Sequence, residues 1–171
     1  MARNVEIKAR MRNPDRIRSV LDRLVDSPPE LLEQTDTFFS VPNGRLKLRV
    51  QPGRSELIYY ERPDTPSAKR SCYFVARIDE PDLLRAILAE SIGLRGTVEK
   101  RRLLYRVGRT RVHLDEVVGL GSFLEIEVVL DEGEAVEDGI ATANRLMERL
   151  GIAKDDLVAS AYIDLLEEKR R

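Results

Sequence analysis

Tryptophan is absent, and cysteine and histidine occur once each, as Cys72 and His113. A single cysteine cannot close an intrachain disulfide, so packing and polar pairing must hold the fold. That usage fits a reducing compartment, and a cytoplasmic location is the expectation. Cys72 itself reads as a buried structural thiol. One histidine removes the usual multi-histidine zinc sites and histidine-base relays. No apolar run is long enough for a transmembrane helix or a signal peptide, so no membrane partner is expected. Twenty-nine basic against 30 acidic residues leave a net charge of −1 and a pI near 6.0. No global basic field draws nucleic acid to the chain.

What is present is charge in quantity: 35% of the 171 residues are Asp, Glu, Lys or Arg, beside 42% hydrophobic residues. That length and mixture suit one domain, residues 1–171, with a sizeable core. The charge is also patterned. In Asn4-Val5-Glu6-Ile7-Lys8-Ala9-Arg10, Val5, Ile7 and Ala9 fall on one face. Asn4, Glu6, Lys8 and Arg10 fall on the other. Period two is the mark of a strand with one apolar and one polar face. The pattern recurs in Arg45–Val50, Lys100–Arg106, Arg111–Asp115 and Leu124–Val128. If such strands close into a barrel, the charged faces line one cavity and the apolar faces take helices outside.

The chain in order predicts strands at 3–11, 31–40, 45–51, 57–60, 71–77, 96–107, 110–118 and 122–130. Turns are signalled by Pro42-Asn43-Gly44, Pro52-Gly53-Arg54-Ser55, Gly108-Arg109 and Gly119-Leu120-Gly121. Asn13 caps a first helix with Pro14 at its first position, carrying the stripe Ile17, Val20, Leu21, Leu24 and Val25. Asp79 is expected to cap a second, with Leu83, Leu84, Ile87 and Leu88 inward and Gly93 at its end. Ala135 to Leu150 and Ala159 to Glu168 complete the helices. The polar stretch from Arg62 to Lys69 is a candidate lid or a solvated linker. The fold class is therefore α+β, a closed, mainly antiparallel, eight-stranded barrel with helices packed outside.

Charges of both signs inside a barrel must pair or hold something charged. A basic surplus suggests a polyanion. Carboxylates at Glu6, Glu125 and Glu127 suggest a hard cation, since Mg²⁺ and Mn²⁺ favour oxygen ligands and bridge phosphates. Together they form the usual equipment for a triphosphate; the alternative is a sheet laced by salt bridges.

At this level the chain resembles the CYTH superfamily, which includes class IV adenylyl cyclases, thiamine triphosphatases and inorganic triphosphatases. Asn4-Val5-Glu6-Ile7-Lys8 resembles its opening Glu-x-Glu-x-Lys, with the first Glu replaced. Gln34-Thr35-Asp36-Thr37-Phe38-Phe39, Leu46-Lys47-Leu48-Arg49 and Glu99-Lys100-Arg101-Arg102 are similar to later strands of the family. His113-Leu114-Asp115 and the run Gly119 to Glu127 look closest to the class IV cyclases. The resemblance implies a triphosphate tunnel with Mg²⁺ or Mn²⁺ as cofactor and ATP or another triphosphate as partner. By motif, Glu6, Glu125 and Glu127 would bind metal. Lys8, Arg49, Lys100 and Arg102 would hold phosphates, with Lys47 and Arg10 as additions on the same faces. Asp115 would stand beside the metal or the reacting hydroxyl, with Lys8 as a second catalytic group. Asp36 reads as an acid that orients a basic residue. Arg62 and Lys69 are the candidates to replace a lysine that related cyclases carry near Tyr60, and Ser160-Ala161-Tyr162 lacks an expected Arg before the Tyr. A homodimer is expected by family analogy alone.

Three functions remain distinct at this level: an adenylyl cyclase, a triphosphatase acting on inorganic, thiamine or nucleoside triphosphate, and a non-catalytic polyphosphate-binding module.

Overall fold

The computed structural model describes residues 2–25 and 27–171. Eight strands run in order: β1 Ala2–Arg10, β2 Glu30–Phe39, β3 Arg45–Gln51, β4 Arg54–Glu61, β5 Lys69–Arg77, β6 Leu94–Val107, β7 Thr110–Val117 and β8 Gly121–Val129. Four helices join them: α1 Pro14–Asp22, α2 Pro81–Ile92, α3 Val136–Leu150 and α4 Tyr162–Arg170. The strands form a closed barrel in the order β1-β5-β4-β3-β2-β6-β7-β8, every pair antiparallel. β1 closes it, pairing with β5 on one side and β8 on the other.

Closure separates the two faces that period two created. The odd-numbered Val5, Ile7 and Ala9 of β1 point outward with Val112, Leu124, Ile126 and Val128, and α1 and α3 cover them. α3 lies so close that a Cβ on Gly139 would stand 2.7 Å from Leu130 Cδ2 and 2.8 Å from Val5 Cγ2. Only a residue without a side chain permits that approach. Asn13 caps α1 as expected, its side chain accepting from the Arg16 N–H at 3.1 Å. Cys72 is buried and free.

Several expectations need correction. α1 stops at Asp22, short of Leu24 and Val25, because the Arg23 and Leu24 amides turn back to Val20 and Leu21. Glu80, not Asp79, is the N-cap of α2, and it makes no side-chain capping bond. The apolar stripe of α2 is not core: Leu83 and Ile87 are about half exposed, and no residue of this helix is buried. α4 begins at Tyr162 and not at Ala159. The preceding chain is held extended, since Leu157 bridges to Ala9 and the Val158 N–H donates to Lys8 O at 2.9 Å. No described helix is long and apolar enough to cross a membrane.

Candidate active site

The inward faces enclose a cavity of about 520 Å³. Nine lysines and arginines and six carboxylates line it, a surplus of three positive charges in a chain whose net charge is −1. The lining follows strand parity: even positions on β1, β2, β4 and β6, odd positions on β3, β5, β7 and β8.

Three ionic groups organise these side chains. The first centres on Asp36, which accepts Arg49 through Nε at 2.7 Å and Nη2 at 2.8 Å, Lys100 at 2.8 Å and Lys47 at 3.0 Å. Cross-strand register makes this possible, since Asp36 faces Arg49 on β3 and Val98 on β6. The second centres on Glu125. Lys8 lies 3.2 Å from its Oε1 and Arg102 donates at 2.7 Å to its Oε2. Arg102 also grips Asp115 with two bonds of 2.6 Å. The third pairs Glu6 with Arg62 and Glu127 with Arg111, the latter at 2.9 Å.

The structure thus brings together Glu6, Lys8, Lys47, Arg49, Lys100, Arg102, Glu125 and Glu127. Asp36 holds three bases, as an orienting acid should. Two expected residues are placed elsewhere. Asp115 has no exposed surface and lies behind Arg102, accepting also from the Tyr162 hydroxyl at 2.9 Å. It orients Arg102 and does not face the cavity. Arg10 is exposed, its guanidinium 4.9 Å from the Phe123 ring centroid. Although Arg10 shares the parity of Lys8, the rings of Phe123 and Tyr162 lie between them.

Tyr162 is a site residue that sequence reasoning did not propose. Its ring centroid lies 3.9 Å from the Lys8 ammonium and 5.7 Å from that of Lys100, so it closes the barrel beneath the basic groups. The partial match at Ser160-Ala161-Tyr162 was the available signal. Of the two residues considered as a substitute lysine, Arg62 reaches the cavity. Lys69 instead donates to the Thr65 and Ala159 carbonyls, tying down the segment expected to serve as a lid.

Burial opposes ionisation throughout, and neighbours decide the outcome. Burial would raise the Asp36 pKa, but Arg49, Lys100 and Lys47 outweigh it and hold the carboxyl well below its usual range. Lys8 and Arg102 do the same for Glu125. Glu6 goes the other way: burial, aided by Glu125 and Glu127, raises it despite Arg62. Burial, with Arg49 and Lys100 nearby, lowers Lys47 to about 7.

Lys47 therefore predicts proton uptake on ligand binding. Its folded pKa lies below the unfolded value, so between the two the folded chain binds fewer protons and stability rises with pH. A phosphate near Lys47 favours the charged form. Calorimetric titration with tripolyphosphate at pH 8, in buffers of differing ionisation enthalpy, should show uptake of close to one proton. Lys47→Arg, always charged, should remove most of that uptake; equal uptake in both proteins would assign it elsewhere.

The donor set also fits a divalent cation. The carboxylates of Glu125 and Glu127 converge with His113, ligand atoms of the three lying within 4.8 Å of one another. Asn4 Oδ1 and His113 Nδ1 are among the buried polar atoms of lining residues that have no hydrogen-bond partner. Glu6, expected in this group, is engaged by Arg62 instead.

The CYTH domain family matches residues 2–162. A curated relative, adenylate cyclase CyaB of Aeromonas hydrophila, is 25% identical over 177 residues, covering 96% of this chain and 88% of the relative. The solved structure of the PH1012 protein from Pyrococcus horikoshii OT3 is similar at a TM-score of 0.84 and 25% identity, over 95% of this chain and 98% of that one. A Hippeastrum protein, described as having a dominant triphosphatase activity, shares the fold at a TM-score of 0.68 and 16% identity, over 99% of this chain and 96% of its own.

Proposed function

The chain belongs to the CYTH domain family, and from that premise we propose that its tunnel grips the phosphate chain of ATP and converts it to cyclic AMP and pyrophosphate, a lyase reaction. The observation that carries this reading is the surplus of three positive charges lining the cavity of a closed barrel. Buried guanidinium Nε atoms of Arg62 and Arg111 there lack acceptors. Buried donors are normally satisfied, so these suit an anion with many oxygens. The Aeromonas relative, named adenylate cyclase over nearly its whole length, supports the choice of reaction.

In this reading the ribose 3′-hydroxyl gives up its proton to water, its oxygen bonds to the α-phosphorus, the bond from that phosphorus to the α–β bridging oxygen breaks, and pyrophosphate leaves. Lys8, Arg49, Lys100 and Arg102 are already oriented by Glu125, Asp36 and Asp115, so they neutralise the departing charge with little reorganisation. Lys47 adds a charge that ligand binding restores. Tyr162 backs Lys8 and Lys100 and fixes how deep the phosphates can go. Glu125 and Glu127 would hold Mg²⁺ or Mn²⁺, with Glu6 joining once Arg62 turns to phosphate. Such a cation lowers the pKa of an attacking hydroxyl or water and polarises the phosphoryl oxygens.

A second reading is favoured by the placement of Asp115. Locked behind Arg102, it is not free to assist a ribose hydroxyl, and a lining that reads phosphate serves water attack equally well. That reaction is triphosphate hydrolysis.

Phosphorus NMR of ATP with the protein and Mg²⁺ separates the two. Cyclic AMP with pyrophosphate is the expected product pair. ADP with orthophosphate would move the assignment to a triphosphatase, with tripolyphosphate and thiamine triphosphate tried next. Binding without turnover of any of them would leave a polyphosphate-binding module.

A further inference from the structure

We infer that His113 is itself a ligand of the tunnel's cation, completing a mixed nitrogen–oxygen site with Glu125 and Glu127 that favours Mn²⁺ over Mg²⁺. The inference rests on the reading that the tunnel works with a divalent cation, and it adds a residue that this reading does not use.

The geometry begins with register. His113 on β7 is the Cα partner of Glu125 on β8, and Glu127 follows on the same face. His113 is 4% exposed, and its Nδ1 has no hydrogen-bond partner. That nitrogen lies 3.6 Å from Glu125 Oε2 and 3.9 Å from Glu127 Oε1. Both separations exceed hydrogen-bond length. They sit just above the spacing of neighbouring ligands on one ion, roughly 3 Å for bonds of ~2.1 Å at right angles. Sub-ångström shifts of two glutamate side chains would close the site. A buried nitrogen aimed at two carboxylate oxygens without bonding either is otherwise poorly satisfied.

The carboxylates have other partners, Lys8 and Arg102 on Glu125 and Arg111 on Glu127. A phosphate chain offers those bases an alternative acceptor and releases the carboxylates to the cation. Cation and polyphosphate should therefore bind with mutual reinforcement. The donor set decides which cation. Mg²⁺ strongly prefers oxygen and keeps its waters, whereas imidazole nitrogen is acceptable to later divalent ions such as Mn²⁺.

His113 is the chain's one histidine, which makes the test clean. Tag-free protein is loaded with Mn²⁺, alone and with pyrophosphate, a nitrogen-free polyanion. Pulsed electron paramagnetic resonance then reads ¹⁴N coupling from a directly bound imidazole. The expected result is a strong ¹⁴N modulation, lost in His113→Gln. Mn²⁺ affinity should fall by at least about tenfold, the lower end of what even outer-shell partners cost. Mg²⁺ affinity should change much less. Mn²⁺ bound without ¹⁴N coupling would overturn the inference while leaving carboxylate-bound metal and the proposed reaction intact. Absence of Mn²⁺ binding with or without pyrophosphate would overturn it too, and product analysis by phosphorus NMR would then decide the function separately.

Discussion

Glu125→Gln should lower kcat/KM by about 10³-fold, the scale seen when a preorganised charge-stabilising group is removed. Glu125 is the point at which the cationic and acidic halves of the tunnel meet. Lys8 and Arg102 both contact it, and His113 and Glu127 converge on it. The amide keeps the shape of the side chain but loses its charge, and with it both the grip on a cation and the partner that holds Lys8 in place. Folding should survive. Arg102 keeps its paired bonds to Asp115, and Glu125 is partly wet at 16% exposure. A fall in Tm of no more than roughly 5 °C is expected, equivalent to a kcal/mol or two for a chain of this size. Steady-state kinetics and circular dichroism together make the check. Turnover near that of the unaltered protein would remove Glu125 from the site, and loss of the fold would make it a structural acid.

Asp36→Asn should act through stability. Its carboxylate is buried beneath Lys47, Arg49 and Lys100, and no other acid contacts any of those three bases within salt-bridge distance among the described residues. Removing one side of a buried ionic group costs about 3–5 kcal/mol, because the partners stay buried and uncompensated. For a chain of this length that is a Tm lower by about 10 °C. The pH dependence follows with its sign. The folded pKa of Asp36 lies well below the ordinary value. Its contribution is therefore fully present above the ordinary carboxylate pKa and is lost as pH falls through the folded one. The Tm gap between the two proteins should be wide at pH 7 and narrow toward strongly acid pH. A Tm unchanged at pH 7 would mean that the three bases do not depend on Asp36.

The contrast between these two acids shows what could be read from residues alone. Period two placed Glu6, Lys8, Lys47, Arg49, Lys100, Arg102, Glu125 and Glu127 on charged faces, the family resemblance added Asp36, and closure of the barrel brings those faces together. The turns at Gly44, Gly53 and Gly108 were equally legible, since each needs a positive φ. Depth along the barrel axis was not legible. Asp115 and Arg10 share the parity of cavity residues, yet they sit at the end that α4 seals. The seal comes from Tyr162, far along the chain, held by an extended segment that periodicity does not reveal. The identity of ion-pair partners was hidden for the same reason. Glu6 meets Arg62 only because the loop after β4 folds back into the cavity. α2 misled in the opposite direction: its apolar stripe is real, but Leu83 and Ile87 are left about half exposed and no residue of the helix is buried.

A calorimetric titration of the protein with inorganic tripolyphosphate, set beside one with AMP, tests the central claim that this tunnel recognises a phosphate chain. The lining predicts tight binding of tripolyphosphate that weakens as salt rises, competition by it against ATP, and far weaker binding of AMP. Binding of AMP as tight as that of ATP, with none of tripolyphosphate, would contradict it.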